Sequence, residues 1–106
     1  MDALTRLDAL IAERLAAADS ASSYVASLAA KGAPHVARKL GEEAVETVVA
    51  ALAEDRAALV SEGADLVFHL AVLLQLKDAS LADVAAELDR RHGTSGLAEK
   101  AARTQE

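Results

Sequence analysis

Pro34 is the only proline in the chain, and of its five glycines just Gly41 and Gly63 fall between Gly32 and Gly93. A sequence so poor in breakers, and without the polar–apolar alternation of half-buried strands, is predicted to be helical almost throughout. Leu4, Leu7, Ile11 and Leu15 recur every three or four residues and predict a first helix from about Asp2 to Ala17. After the SASS break, Ser22 or Ser23 is placed to cap a short helix through Tyr24, Val25 and Leu28, which Gly32 ends. Pro34 suits the first turn of a third helix, where its missing N–H costs nothing. That helix runs on Val36, Leu40, Val45, Val48, Val49 and Leu52 to about Ala53.

A turn at Glu54-Asp55 leads into the longest segment, Arg56 to Leu76. Its second half, LVFHLAVLLQL, is apolar nearly all round and predicts burial on several sides. Ser80 and Asp83 form a capping-box pattern for a last helix through Leu88, closed by Gly93. The tail from about residue 93 adds at most a helical turn. The expected architecture is one all-α domain, 1–106, a helical bundle.

Composition sets limits on this bundle. Hydrophobic residues make up 53% of the 106, but 27 of all residues are alanine, and Tyr24 and Phe68 are the only aromatics. A chain this small buries a modest share of its surface alone, so the core is expected to be completed by a second copy, as a homodimer. The absence of cysteine removes disulfide scaffolds, thiol catalysis and Cys-based metal sites. A net charge of −6 argues against nucleic-acid binding, which needs a basic face. No apolar run reaches the ~20 residues of a membrane span, and the acid-bearing N-terminus does not read as a targeting peptide. These features predict a soluble, cytoplasmic protein.

The stretch KLGEEAVETVV, Lys39 to Val49, concentrates Glu42, Glu43 and Glu46 on a mostly apolar helix, where like charges repel. At ~100° per residue the three share about one third of the circumference. Glu62, Asp65 and His69 lie along one face of the next helix. Fifteen residues separate Glu46 from Glu62, the spacing of an antiparallel hairpin that brings the two groups level. Apolar neighbours flank both groups, and the only nearby cations are Arg38 and Lys39 at one end and Arg56 beyond the other. Five carboxylates on a half-apolar surface require a counter-cation. All-oxygen ligation without cysteine points to Mg²⁺ or Mn²⁺, and Mg²⁺ is commonly completed by substrate phosphates. The Glu-x-x-His pairs of di-iron bundles do not occur.

The pair EExxE then ExxD resembles the all-α, MazG-like nucleotide pyrophosphatase superfamily. SYVASLAAKG (Ser23 to Gly32), ARKLGEEAVE (Ala37 to Glu46), EGADLVFHLAVLL (Glu62 to Leu74) and RHGTSGLAEKAAR (Arg91 to Arg103) together are similar to the phosphoribosyl-ATP pyrophosphatase family. The resemblance implies a Mg²⁺-dependent helical dimer. It would hydrolyse phosphoribosyl-ATP to phosphoribosyl-AMP and pyrophosphate, the second step of histidine biosynthesis, with a single function. Carried over by position, Glu43, Glu46, Glu62 and Asp65 would be the metal ligands. Glu42 or Glu46 would take the proton of the attacking water. Lys31, Arg38 and Lys39 are the candidate phosphate contacts, with Arg91, Lys100 and Arg103 of the tail as further candidates. His69 is either a hydrogen-bonded core residue or a partner behind Asp65 or Glu62, and Tyr24 is expected to pack, with a hydroxyl that reaches a site if the short helix lies across the hairpin. Gly63 departs from the usual helix former and would permit close helix approach.

Two other readings compete. A housekeeping nucleoside triphosphate pyrophosphohydrolase would share the metal core and differ only outside it. An acidic dimerisation module without catalysis would tolerate loss of Glu43 or Asp65.

Overall fold

The computed structural model describes residues 2–17, 23–92, 100 and 103. Among the described residues five helices follow one another: α1 Ala3–Ala17, α2 Tyr24–Lys31, α3 Ala33–Ala53, α4 Arg56–Leu76 and α5 Leu81–Arg91. Among the described residues there is no strand, as the scarcity of breakers predicts.

The helix ends follow local chemistry. Ser23 caps α2 by accepting the Ala26 amide proton, and Asp55 caps α4 through Ala58. Ser80 and Asp83 form the full capping box at α5. Gly32 separates α2 from α3 at φ +93°, a left-handed conformation that glycine adopts without steric cost. Its N–H closes α2 on the carbonyls of Leu28 and Ala29 while Pro34 opens α3. Gly93, expected to close α5, lies outside the described residues.

The two 21-residue helices, α3 and α4, are joined by two residues and pack along each other as an antiparallel hairpin. α1 and α2 pack across it, and α5 folds back on α1. Ile11, Val25, Leu28, Val36, Ala71, Val72 and Leu81 form the core, one or two from each helix. Truncating a fully buried member such as Leu28 to alanine removes about 2–5 kcal/mol of stability at sites of this kind.

Two expectations are revised. Only His69, Ala71 and Val72 are buried in α4, while Leu66, Leu70 and Leu73 are half-buried, because one chain supplies too few neighbours to surround the helix. Gly63 admits no close helix approach within the chain, since an added Cβ would meet nothing within 4 Å. By length and composition α4 is also apolar enough to cross a membrane, contrary to the reading of its apolar runs. It carries Glu62, Asp65 and His69 and packs on α1, α2 and α3.

α3 has two apolar faces. Val36, Glu43 and Ala50, seven apart, are buried. The opposite face holds Val45, Val48 and Leu52, 63%, 58% and 83% exposed, and exposed Val60 of α4 adds to the apolar surface of the hairpin.

Candidate metal centre

Glu43 occupies the middle of the row Val36–Glu43–Ala50, a position that apolar residues fill one turn-pair above and below. It is therefore 8% exposed. Glu62 and Asp65 face it from α4, Glu62 half-buried and Asp65 exposed. One carboxylate oxygen from each of the three lies within 4.8 Å of the others. The Oε2 atoms of Glu43 and Glu62 are buried and have no hydrogen-bond partner.

An unsatisfied buried carboxylate oxygen is costly, and here two belong to one acidic cluster. Burial pushes the carboxyls of Glu43 and Glu62 above their ordinary value, and the adjoining Glu46 carboxyl and the Asp65 charge push in the same direction. Glu46 is exposed and borders Glu43 and Glu62, outside the tight group of three. Orphaned oxygens, converging negative charge and all-oxygen donors are what a hard divalent cation satisfies, so the residues present fit such an ion.

Glu42 stands apart. It pairs with Lys39 at 3.6 Å and with Arg38 at 4.0 Å, its side chain half exposed. Arg38 also lies 3.3 Å from His35 Nδ1. Lys31 is exposed at the end of α2, next to this basic strip. Burial, with the charges of Lys31, Arg38 and Lys39, holds His35 below its usual range. The strip forms one cationic border at the start of α3. Arg91 instead binds Glu87 at 2.9 Å. Lys100 and Arg103 are exposed, and the rest of the tail block lies outside the described residues.

His69 is buried and hydrogen-bonded, with Nδ1 2.8 Å from the Asp65 carbonyl oxygen and Nε2 3.2 Å from the Tyr24 hydroxyl. It is thus the hydrogen-bonded core residue expected, and its bond to Asp65 is to the backbone carbonyl. Tyr24, whose hydroxyl is expected to reach a site if α2 lies across the hairpin, meets His69.

Carboxylates converging from both arms of a helical hairpin define an all-α protein with an acidic centre suited to a divalent cation. Sequence comparison narrows the class. The profile of the phosphoribosyl-ATP pyrophosphohydrolase family matches residues 4–92. A phosphoribosyl-ATP pyrophosphatase of Sphingopyxis alaskensis is 60% identical over 102 residues, 96% of this chain and 94% of the relative. One of Rhizorhabdus wittichii is 63% identical over 94% of this chain and 93% of its own length. One of Rhodobacter capsulatus is 56% identical over 97% and 99%. The chain belongs to the phosphoribosyl-ATP pyrophosphohydrolase family.

Proposed function

We propose that the chain hydrolyses phosphoribosyl-ATP to phosphoribosyl-AMP and pyrophosphate, the second step of histidine biosynthesis. Family membership over nearly the whole chain carries this reading. The acidic centre supports it, since hydrolysing an anhydride between phosphates requires neutralised charge and an aligned water.

Glu43, Glu62 and Asp65, with Glu46 beside them, would hold Mg²⁺, or Mn²⁺ in its place. Bound there, the ion would supply charge neutralisation and would acidify water at this site. Glu46, exposed and adjoining Glu43 and Glu62, accepts the proton of the attacking water. The new P–O bond forms as the bond to the departing pyrophosphate breaks. Glu42, held by Arg38 and Lys39, orients the basic strip rather than the water. Arg38, Lys39 and Lys31 bind substrate phosphates, and substrate displaces part of the Glu42 pairing. The exposed face of Val45, Val48 and Leu52 is covered by a second copy, giving a homodimer that works in the cytoplasm.

The direct test is pyrophosphate release from phosphoribosyl-ATP with Mg²⁺, beside the common nucleoside triphosphates, EDTA and Glu43→Ala. Turnover of phosphoribosyl-ATP alone, lost with EDTA and in the variant, is the expected result. Hydrolysis of ordinary triphosphates instead would move the chain to the housekeeping class.

A further inference from the structure

Tyr24 lies on α2, outside the carboxylate cluster, yet a single side chain connects it to that cluster. His69 Nδ1 sits 2.8 Å from the Asp65 carbonyl oxygen. A carbonyl oxygen only accepts, so Nδ1 carries a proton and donates it. In the neutral imidazole Nε2 then offers its lone pair, and the Tyr24 hydroxyl, 3.2 Å away, donates to it. His69 is 5% exposed, so bulk water does not stand in for this bond.

The tyrosine is itself held. Its ring stacks on Phe68 with centroids 5.9 Å apart and planes at 18°, and His69 meets both rings edge-on. Its carbonyl accepts the Ser27 hydroxyl at 2.8 Å, and the Ser23 cap fixes the start of the helix. Without the Tyr24 donor, His69 would be free to take the tautomer protonated at Nε2. Its Nδ1 lone pair would then face the Asp65 carbonyl lone pairs, and the ring would have to turn.

We propose that Tyr24 is a positioning residue for the carboxylate centre: by donating to Nε2 it fixes the tautomer and orientation of His69, and through Nδ1 it holds the turn of α4 that presents Asp65. The metal limb of this inference rests on the proposed function; the tautomer limb does not.

Tyr24→Phe tests it, because the ring stays on Phe68 and only the donor is lost. Nitrogen-15 NMR of the imidazoles in the full, metal-free chain is expected to show the Nδ1–H tautomer for His69. In Tyr24→Phe that signature is lost or averaged. Mn²⁺ binding to the substrate-free protein is expected to weaken by about tenfold, the scale for a partner that orients a metal ligand, with an unchanged helical circular dichroism spectrum. On a His69→Gln background the same substitution adds nothing.

A wild-type His69 protonated at Nε2, or a tautomer unmoved by Tyr24→Phe, overturns the inference. So does a lost tautomer with Mn²⁺ affinity intact, which leaves the metal reading standing. Failure of the wild-type chain to bind Mn²⁺ overturns the metal reading and this inference together, and the wild-type control distinguishes that case.

Discussion

The Asp8 carboxylate, midway along α1, accepts the backbone amide proton of Leu81 at 3.0 Å, and its other oxygen takes that of Ala82 at 3.0 Å. A helix start leaves its first amides unpaired and slightly positive. Asp8 therefore serves α5 as a cap supplied from another helix, while its own carbonyl accepts Gln75 Nε2 of α4 at 2.8 Å. Asp8→Ala is expected to lower stability by about 1–3 kcal/mol, read as a shift in urea midpoint. Activity per folded molecule should hold, since none of these contacts touches α3.

Glu43→Gln and Glu42→Gln should part company, although the residues are neighbours. Glu43→Gln should cost more than the ~100-fold typical of losing a group that merely orients a metal ligand, while the metal-free fold stays as stable or gains. Glu42→Gln disturbs exposed ion pairs whose worth corresponds to no more than about fivefold. Steady-state rates of both variants, side by side with melting curves, decide this. Equal losses would return Glu42 to the catalytic centre.

The stability of the metal-free chain should fall as pH rises above about 4.5. Glu43 and Glu62 have folded-state values raised above the 4.5 of the free side chain. The native state thus holds protons that the unfolded state releases, and stability drops as pH climbs from 4.5 through the raised values. Glu87 acts in the opposite sense. Its bonds to Arg90 and Arg91 hold it at about 2, so its contribution is present above 4.5 and fades as pH falls toward 2. Thermal midpoints across pH, with Glu62→Gln as control, should reveal a descending limb above 4.5 that the substitution flattens. Mg²⁺ at neutral pH should restore the lost stability.

Leu52→Glu places a charge on the most exposed large apolar side chain among the described residues, 83% accessible in one chain. Sedimentation velocity should find a dimer for the wild type and a monomer for the variant, with the helical spectrum retained. A wild-type monomer at micromolar concentration would leave that face without its proposed cover.

What the sequence made legible was local. The Ser23 and Ser80 caps, the Gly32 break and the hairpin turn each depend on a few adjacent residues, and each falls where its chemistry predicts. The convergence of Glu43 with Glu62 and Asp65 followed from hairpin spacing. Which α3 glutamate is buried did not, because α3 carries two apolar faces. Periodicity alone cannot tell whether the Val36–Ala50 row or the Val45–Val48–Leu52 row meets α4. The burial of Glu43 and the outward pairing of Glu42 both turn on that choice. Asp8 was invisible for another reason, its partner lying 73 residues away, and the partner of Tyr24, 45 residues away, could not be named from local sequence.

The two-residue link between α3 and α4 has a consequence for how the centre comes into being. Every carboxylate assigned to it lies on one contiguous helical hairpin, so closing it requires only short loops, the contacts that form fastest in folding chains. The remote contacts, from Tyr24 and Asp8, arrive when the flanking helices dock. Reactive groups assembled early and braced late leave α1 and α5 free to diverge, or to be reconnected by circular permutation, without dismantling the chemistry, while Tyr24 and Lys31 tie α2 to it.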